Sequence, residues 1–104
     1  MINRKNTIQP SSLSVVLSDE CERRAKIFAA LSDPTRLRMV ELLNNGDEMS
    51  GREIANHLAI SLALFCHHSK ILVEAGLIQT RKEGQTKYNS LNREVLQACF
   101  TWFQ

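Results

Sequence analysis

Three groups of residues in this chain have types and spacing that could do chemistry. The first is the thiols Cys21, Cys66 and Cys99. A thiolate can enter a disulfide or polysulfide, or ligate a thiophilic metal or metalloid. The second is His67-His68 beside Cys66, which invites a metal reading. Consecutive helical residues point about 100° apart, so three in a row cannot close on one ion. That run instead predicts one imidazole facing outward and one against the domain body. The third is a set of cations and polar residues in the second half of the chain, suited to phosphates and base edges. There is no C-x-x-C, H-E-x-x-H, Gly-rich phosphate loop or nucleophile elbow, so enzymatic chemistry has little to stand on beyond Cys66-His67-His68, and no cofactor is required.

Composition narrows the field further. A chain of 104 residues, 43% hydrophobic and 23% charged, suits one small globular domain. The net charge of +2 disfavours coating nucleic acid by bulk charge and leaves a local basic patch as the route to a polyanion. No apolar run approaches the ~18–20 residues of a membrane span. The polar start, MINRKNTIQP, lacks a signal-peptide core, so no membrane partner and a cytoplasmic location are expected. Three widely spaced cysteines do not make a disulfide framework.

The elements that must position these groups follow from caps and periodicity. Residues 1–15 read as a flexible N-terminal arm, and residues 16–104 as the folded domain. Ser18-Asp19-Glu20 opens a first helix, with Cys21, Ala25, Phe28 and Leu31 at helical spacing and Ile27 beside them. Asp33-Pro34 starts a second, with Leu37, Val40 and Leu43 as its buried stripe, ended by Asn44-Asn45-Gly46, residues that tolerate a left-handed backbone. Ser50-Gly51-Arg52-Glu53 is a capping box for a short third helix built on Ile54, Ala55 and Leu58. Ser61 caps a fourth helix that ends at Ala75-Gly76, with Phe65, Ile71 and Leu72 facing inward. Strand-like Leu77–Thr80 and Thr86–Leu91 flank a tip of Arg81-Lys82-Glu83-Gly84-Gln85. Asn92-Arg93-Glu94 begins a fifth helix with wide apolar cover from Val95, Leu96, Cys99, Phe100, Trp102 and Phe103. A helix so aromatic must pack against the first helix, its own or a partner's. The fold class is therefore mainly α with a small β-hairpin, in the order α1-α2-α3-α4-β-β-α5. Two short helices joined by a tight turn and followed by a basic hairpin make a winged helix-turn-helix.

An ordered set of motifs resembles the ArsR/SmtB family of bacterial winged-helix repressors. It runs from Leu31-Ser32-Asp33-Pro34-Thr35-Arg36-Leu37-Arg38 through Glu53-Ile54-Ala55, His68 and Leu72-Val73-Glu74-Ala75-Gly76-Leu77-Ile78. It continues through Arg81-Lys82-Glu83-Gly84-Gln85, Tyr88 and Leu91, and covers roughly residues 25–92. The resemblance implies a homodimer held by the first and last helices, with the fourth helix of each protomer in a major groove of double-stranded operator DNA. It also implies an inducer that loosens that grip.

On that surface Ser61, His67 and Lys70 are the polar candidates on the recognition helix, and Arg52 and Asn56 suit the DNA backbone. Arg81, Lys82 and Lys87 form a compact positive wing, which the resemblance places near the flanking minor groove. The start of the helix departs from the family. Where many members carry a small polar series, this chain has Ser61-Leu62-Ala63-Leu64. Leucines such as Leu64 cannot hydrogen-bond to bases; they touch thymine methyl groups or are buried.

The family's metal-ligand sets are absent as usually built. Glu48–Glu53 lacks the Cys-x-Cys pair, and Asn92–Cys99 carries no His. That leaves Cys21 and Cys99 as a thiol pair on helices that neighbour each other in the implied dimer. A disulfide, a polysulfide or a metalloid such as arsenite bridging them would shift the interface and release DNA. Packing in the core is the competing role for both. A winged helix used as a protein-interaction module is the competing function.

Overall fold

The computed structural model describes residues 12–104. Five helices and a three-stranded sheet follow one another as α1 (Ser12–Leu31), α2 (Pro34–Asn44), β1 (Met49–Ser50), α3 (Gly51–Leu58), α4 (Leu62–Glu74), β2 (Ile78–Glu83), β3 (Thr86–Leu91) and α5 (Arg93–Cys99). The order is that of a winged helix, with one strand more than the sequence predicts. None of the helices among the described residues is long and apolar enough to cross a membrane.

Helix α1 begins at Ser12, six residues ahead of the predicted cap Ser18. Residues 12–15 of the predicted arm are therefore helical, and residues 1–11 lie outside the described residues. Adding a residue to an existing helix costs far less than nucleating one, so a cap-like serine need not stop it. The buried face also differs from the predicted stripe. Ile27 and Ala30 are sealed in the core, Leu31 is half-buried, and Cys21 and Ala25 are exposed. Phe28 turns instead toward the C-terminal turns after α5, with its ring 5.6 Å from Trp102 edge-on and 6.1 Å from Phe103. The apolar arc of α1 is wide enough for both contacts, and the core takes the Ile27 side.

Helix α2 starts as its sequence dictates. Asp33 Oδ2 accepts the amide of Arg36 at 3.0 Å, and Pro34 sits where no amide is needed. Its buried set is Met39, Val40 and Leu43, and Leu37 is 45% exposed. The arc those three define is centred near Leu43, about 110° from Leu37 at 100° per residue, which corrects the predicted stripe. The helix also ends without a left-handed residue. Asn45 keeps right-handed angles, and its Nδ2 donates to the Glu41 carbonyl at 3.1 Å.

The helix-turn-helix is pinned at both ends by side-chain caps. Ser50 Oγ accepts from the Glu53 amide at 3.2 Å, and Glu53 Oε1 accepts from the Ser50 amide at 3.0 Å. Ala59 turns the chain with φ 55°, its amide donating back to Ala55 and Asn56, and Ser61 then caps α4 through the Leu64 amide at 3.0 Å. Gly76, φ 79°, leads out of α4 into the sheet. The strand order is β1-β3-β2, all antiparallel. Ile78 pairs with Leu91, Arg81 with Tyr88, and Lys82 with Lys87, around a two-residue tip at Gly84-Gln85. The core under these elements is Ile27, Met39, Leu43, Ile54, Leu72 and Leu77.

Candidate nucleic-acid interface

Helix α4 is oriented from beneath. Phe65, His68 and Leu72 are its buried residues. At 100° per residue, the direction opposite that face falls on Ala63, His67, Lys70 and Glu74, with Cys66 alongside; all five are exposed. The two histidines thus part as the sequence reading expects: His67 faces out and His68 is buried. Leu62 and Leu64 flank Ala63 at 42% and 40% exposure, so neither leucine is buried. Ala63 and Cys66 were not among the sequence candidates. A wheel anchored on Phe65 and Leu72 carries the signal for both.

His68 ties the helix to the body. Its Nδ1 lies 3.1 Å from Nη1 of Arg36 and 3.8 Å from Oδ2 of Asp33. A guanidinium only donates, so Nδ1 accepts and the ring proton sits on Nε2. Burial holds the His68 pKa below its ordinary value; the Asp33 carboxylate opposes the shift and the Arg36 cation adds to it. Arg36 Nε also donates to the Ala30 carbonyl at 2.8 Å, linking the end of α1, the start of α2 and the inner face of α4. Asp33 is held acidic mainly by the Arg36 amide at its cap.

The remaining predicted residues divide by element. Arg52 and Asn56 are both exposed on α3, one turn apart and away from Ile54, Ala55 and Leu58. Ser61 is exposed, with its oxygen engaged by the cap. The wing cations do not form one compact patch. Lys82 and Lys87 are directly opposed, on the hairpin face that also carries Asn89, while Arg81 and Tyr88 occupy the reverse face. Arg81 donates to Glu48 (Nη2 to Oε1 at 2.8 Å, Nε to Oε2 at 2.9 Å) and to Glu83 at 3.2 Å, and its guanidinium lies 5.0 Å from the Tyr88 ring centre. Those carboxylates raise the Arg81 pKa further, and Arg81 holds Glu48 below the usual carboxylate range. Glu48 was not foreseen; it lies 33 residues from Arg81 and has no local signature.

Between α4 and the hairpin runs a groove of about 450 Å³ that includes Phe65, Cys66, Lys70, Val73, Lys87 and Asn89 in its walls. The exposed helix arc and the Lys82/Lys87 face thus stand on either side of one channel. The predicted thiol pair is differently placed. Cys21 is exposed and Cys99 is buried, with Cys99 Sγ donating to the Val95 carbonyl at 3.3 Å. Burial pushes the Cys99 thiol up in pKa. Among the described residues, no cluster of three or more His, Cys, Asp or Glu side chains is arranged to hold a metal ion.

Residues 33–80 match the family described as "Bacterial regulatory protein, arsR family". A transcriptional repressor of Bacillus subtilis (strain 168), SdpR, is 43% identical over 76 residues, which span 73% of this chain and 83% of SdpR. The chain belongs to the arsR family. It is accordingly a winged-helix transcriptional regulator that binds DNA, and not an enzyme. The crystal structure of NolR from Sinorhizobium fredii is 28% identical, with a TM-score of 0.68 over 88% of this chain and 92% of NolR. The same fold is found in the solution structure of a homodimeric winged helix-turn-helix DNA-binding domain from Mycobacterium bovis, 24% identical, with a TM-score of 0.74 over 90% of this chain and 84% of that one.

Proposed function

We propose that this arsR-family protein is a homodimeric, sequence-specific repressor acting on cytoplasmic operator DNA, with α4 in the major groove and the hairpin over the flanking backbone. The observation that carries this reading is the exposed arc of α4, which starts at the Ser61 cap and runs through Ala63, His67 and Lys70 to Glu74, across a groove from Lys87. Base contacts from such an arc supply selectivity, and Arg52, Lys70, Lys82 and Lys87 supply salt-dependent affinity. Dimerisation is supported by the aromatic cluster at the chain's end. Phe100 and Phe103 are 68% and 84% exposed, and Phe103 lies against Phe28, which also meets Trp102; that is more aromatic surface than a lone protomer leaves wet. The M. bovis domain of the same fold is a homodimer.

Titration of fluorescent duplexes from the DNA upstream of the coding region tests the reading. Site-selective binding that weakens steeply with salt is expected, at a stoichiometry of two chains per site. Equal, weak binding to every duplex would favour the protein-interaction module instead.

The finer part of the proposal is release by a thiol-reactive inducer, either a redox or sulfur species or a metalloid, at Cys21 and Cys99. Both thiols lie on α1 and α5, the helices proposed to form the interface. A repressor without cysteine-based sensing is the second reading, favoured by the burial of Cys99. Mass spectrometry of C21S, C99S and wild-type protein after peroxide, persulfide or arsenite, with DNA binding read in parallel, separates the two. Release that survives both substitutions removes the thiol pair.

A further inference from the structure

We propose that Leu62, Ala63 and Leu64 read thymine 5-methyl groups, so that the operator half-site carries thymines under the start of α4. This inference rests on the repressor reading above and adds the chemistry of the sequence that is read.

Residues near the N-terminus of a recognition helix are those that reach base edges. Here the first turn presents three apolar side chains in succession. Leu62 is 42% exposed, Leu64 is 40% exposed, and Ala63 lies on the outermost line of the helix. None can donate or accept a hydrogen bond. The only hydroxyl at this end, on Ser61, is held at the cap by accepting from the Leu64 amide, and only its own proton is left to donate. The next outward residues are Cys66, a weak donor, and His67, the first full hydrogen-bonding side chain on the arc.

In the major groove every base edge is polar except one feature, the thymine methyl. Leucines set against guanine or cytosine edges would strip water from polar groups and return no bond. Leucines set against thymine methyls bury apolar surface on both sides. Charge fixes the occupant as DNA. The apolar turn is bracketed by exposed cations, Arg52 on α3, Lys70 further along α4, and Lys82 and Lys87 on the hairpin, a distribution that suits phosphates on both sides of a groove. Leu62 and Leu64 therefore set sequence preference, and His67 adds the polar contact beyond them.

The experiment uses the full-length protein and duplexes enriched from a random-sequence library at physiological salt. Each thymine of the enriched half-site is then replaced by deoxyuridine, which deletes the methyl and keeps Watson–Crick pairing. About fourfold weaker binding is expected for each contacted methyl, with an unchanged salt slope. Deoxyuridine placed outside the half-site serves as the control and should have no effect. L62A and L64A should each lose discrimination between thymine and uracil at the position that leucine contacts and keep it at the others, and circular dichroism checks that these exposed substitutions leave the fold intact. If the enriched duplex binds equally well with uracil at every half-site position, or the leucine variants keep the full discrimination, the inference is overturned while the repressor reading stands. If no duplex is enriched at all, both fall together.

Discussion

Replacing Glu48 with glutamine isolates the charge balance of the wing. In the structure the Glu48 carboxylate receives Nε and Nη2 of Arg81 at 2.9 and 2.8 Å, and Glu83 receives Nη1 at 3.2 Å. The local ledger is Arg81, Lys82 and Lys87 against Glu48 and Glu83, one net positive charge per wing. Glu48→Gln doubles that and leaves Arg81 with only the looser Glu83 contact. If the freed guanidinium takes one further phosphate, the slope of log K against log salt steepens by about 0.9 per wing, or about 1.8 for a dimer. Equivalently, the variant gains about eightfold in affinity over wild type per wing for each tenfold fall in salt. Anisotropy titrations of both proteins on one operator duplex, across a salt series, measure this directly. Arg81→Ala in the Glu48→Gln background should return the slope to that of wild type. Parallel lines for wild type and Glu48→Gln would refute the reasoning, because the guanidinium would then stay on Tyr88 and Glu83 when DNA is bound.

Three other outcomes are expected. A Cβ at Gly51 would lie 2.6 Å from Cε2 of the buried Phe65, so Gly51→Ala should lose about 1–3 kcal/mol by overpacking; an unchanged denaturation midpoint would show that the ring moves aside freely. His68 has a depressed pKa in the fold, so its contribution to stability is complete above the unfolded value of about 6.5 and is lost as pH falls through the folded value. Denaturant midpoints of wild type should therefore drop as pH falls below about 6.5 relative to His68→Asn, and equal pH slopes would rule the effect out. Iodoacetamide at neutral pH should label exposed Cys66 well before Cys99, whose thiol is buried and raised in pKa; equal labelling rates would count against the packed position of Cys99.

The parts of this fold that the sequence announces are those set by neighbours within four residues. Asp33-Pro34, the Ser50–Glu53 box and Ser61 each place a polar atom against a free amide one turn ahead, and the helix starts follow from them. Helix faces were harder to read. Leu37 and Met39 are both apolar, and only the position of the core decides that Met39 is buried and Leu37 is not. The same ambiguity applies on α1, where the core takes Ile27, which lies beside the predicted stripe, together with Ala30, and leaves Phe28 partly exposed. Strand β1 has two residues and no pattern of its own; it exists because Met49 and Ser50 meet Asn89 and Tyr88. At the candidate site, the outward set on α4 follows from helical period. The capture of Arg81 by Glu48 is a long-range pairing that no local motif encodes.

Ser50 belongs to two elements at once. It pairs with Tyr88 in the sheet, and its side chain caps the first turn of α3. Hairpin and helix-turn-helix are thus joined at Ser50 as well as through the direct connection of α4 to β2 at Gly76. A substitution at Ser50 therefore disturbs the sheet pairing and the α3 cap together.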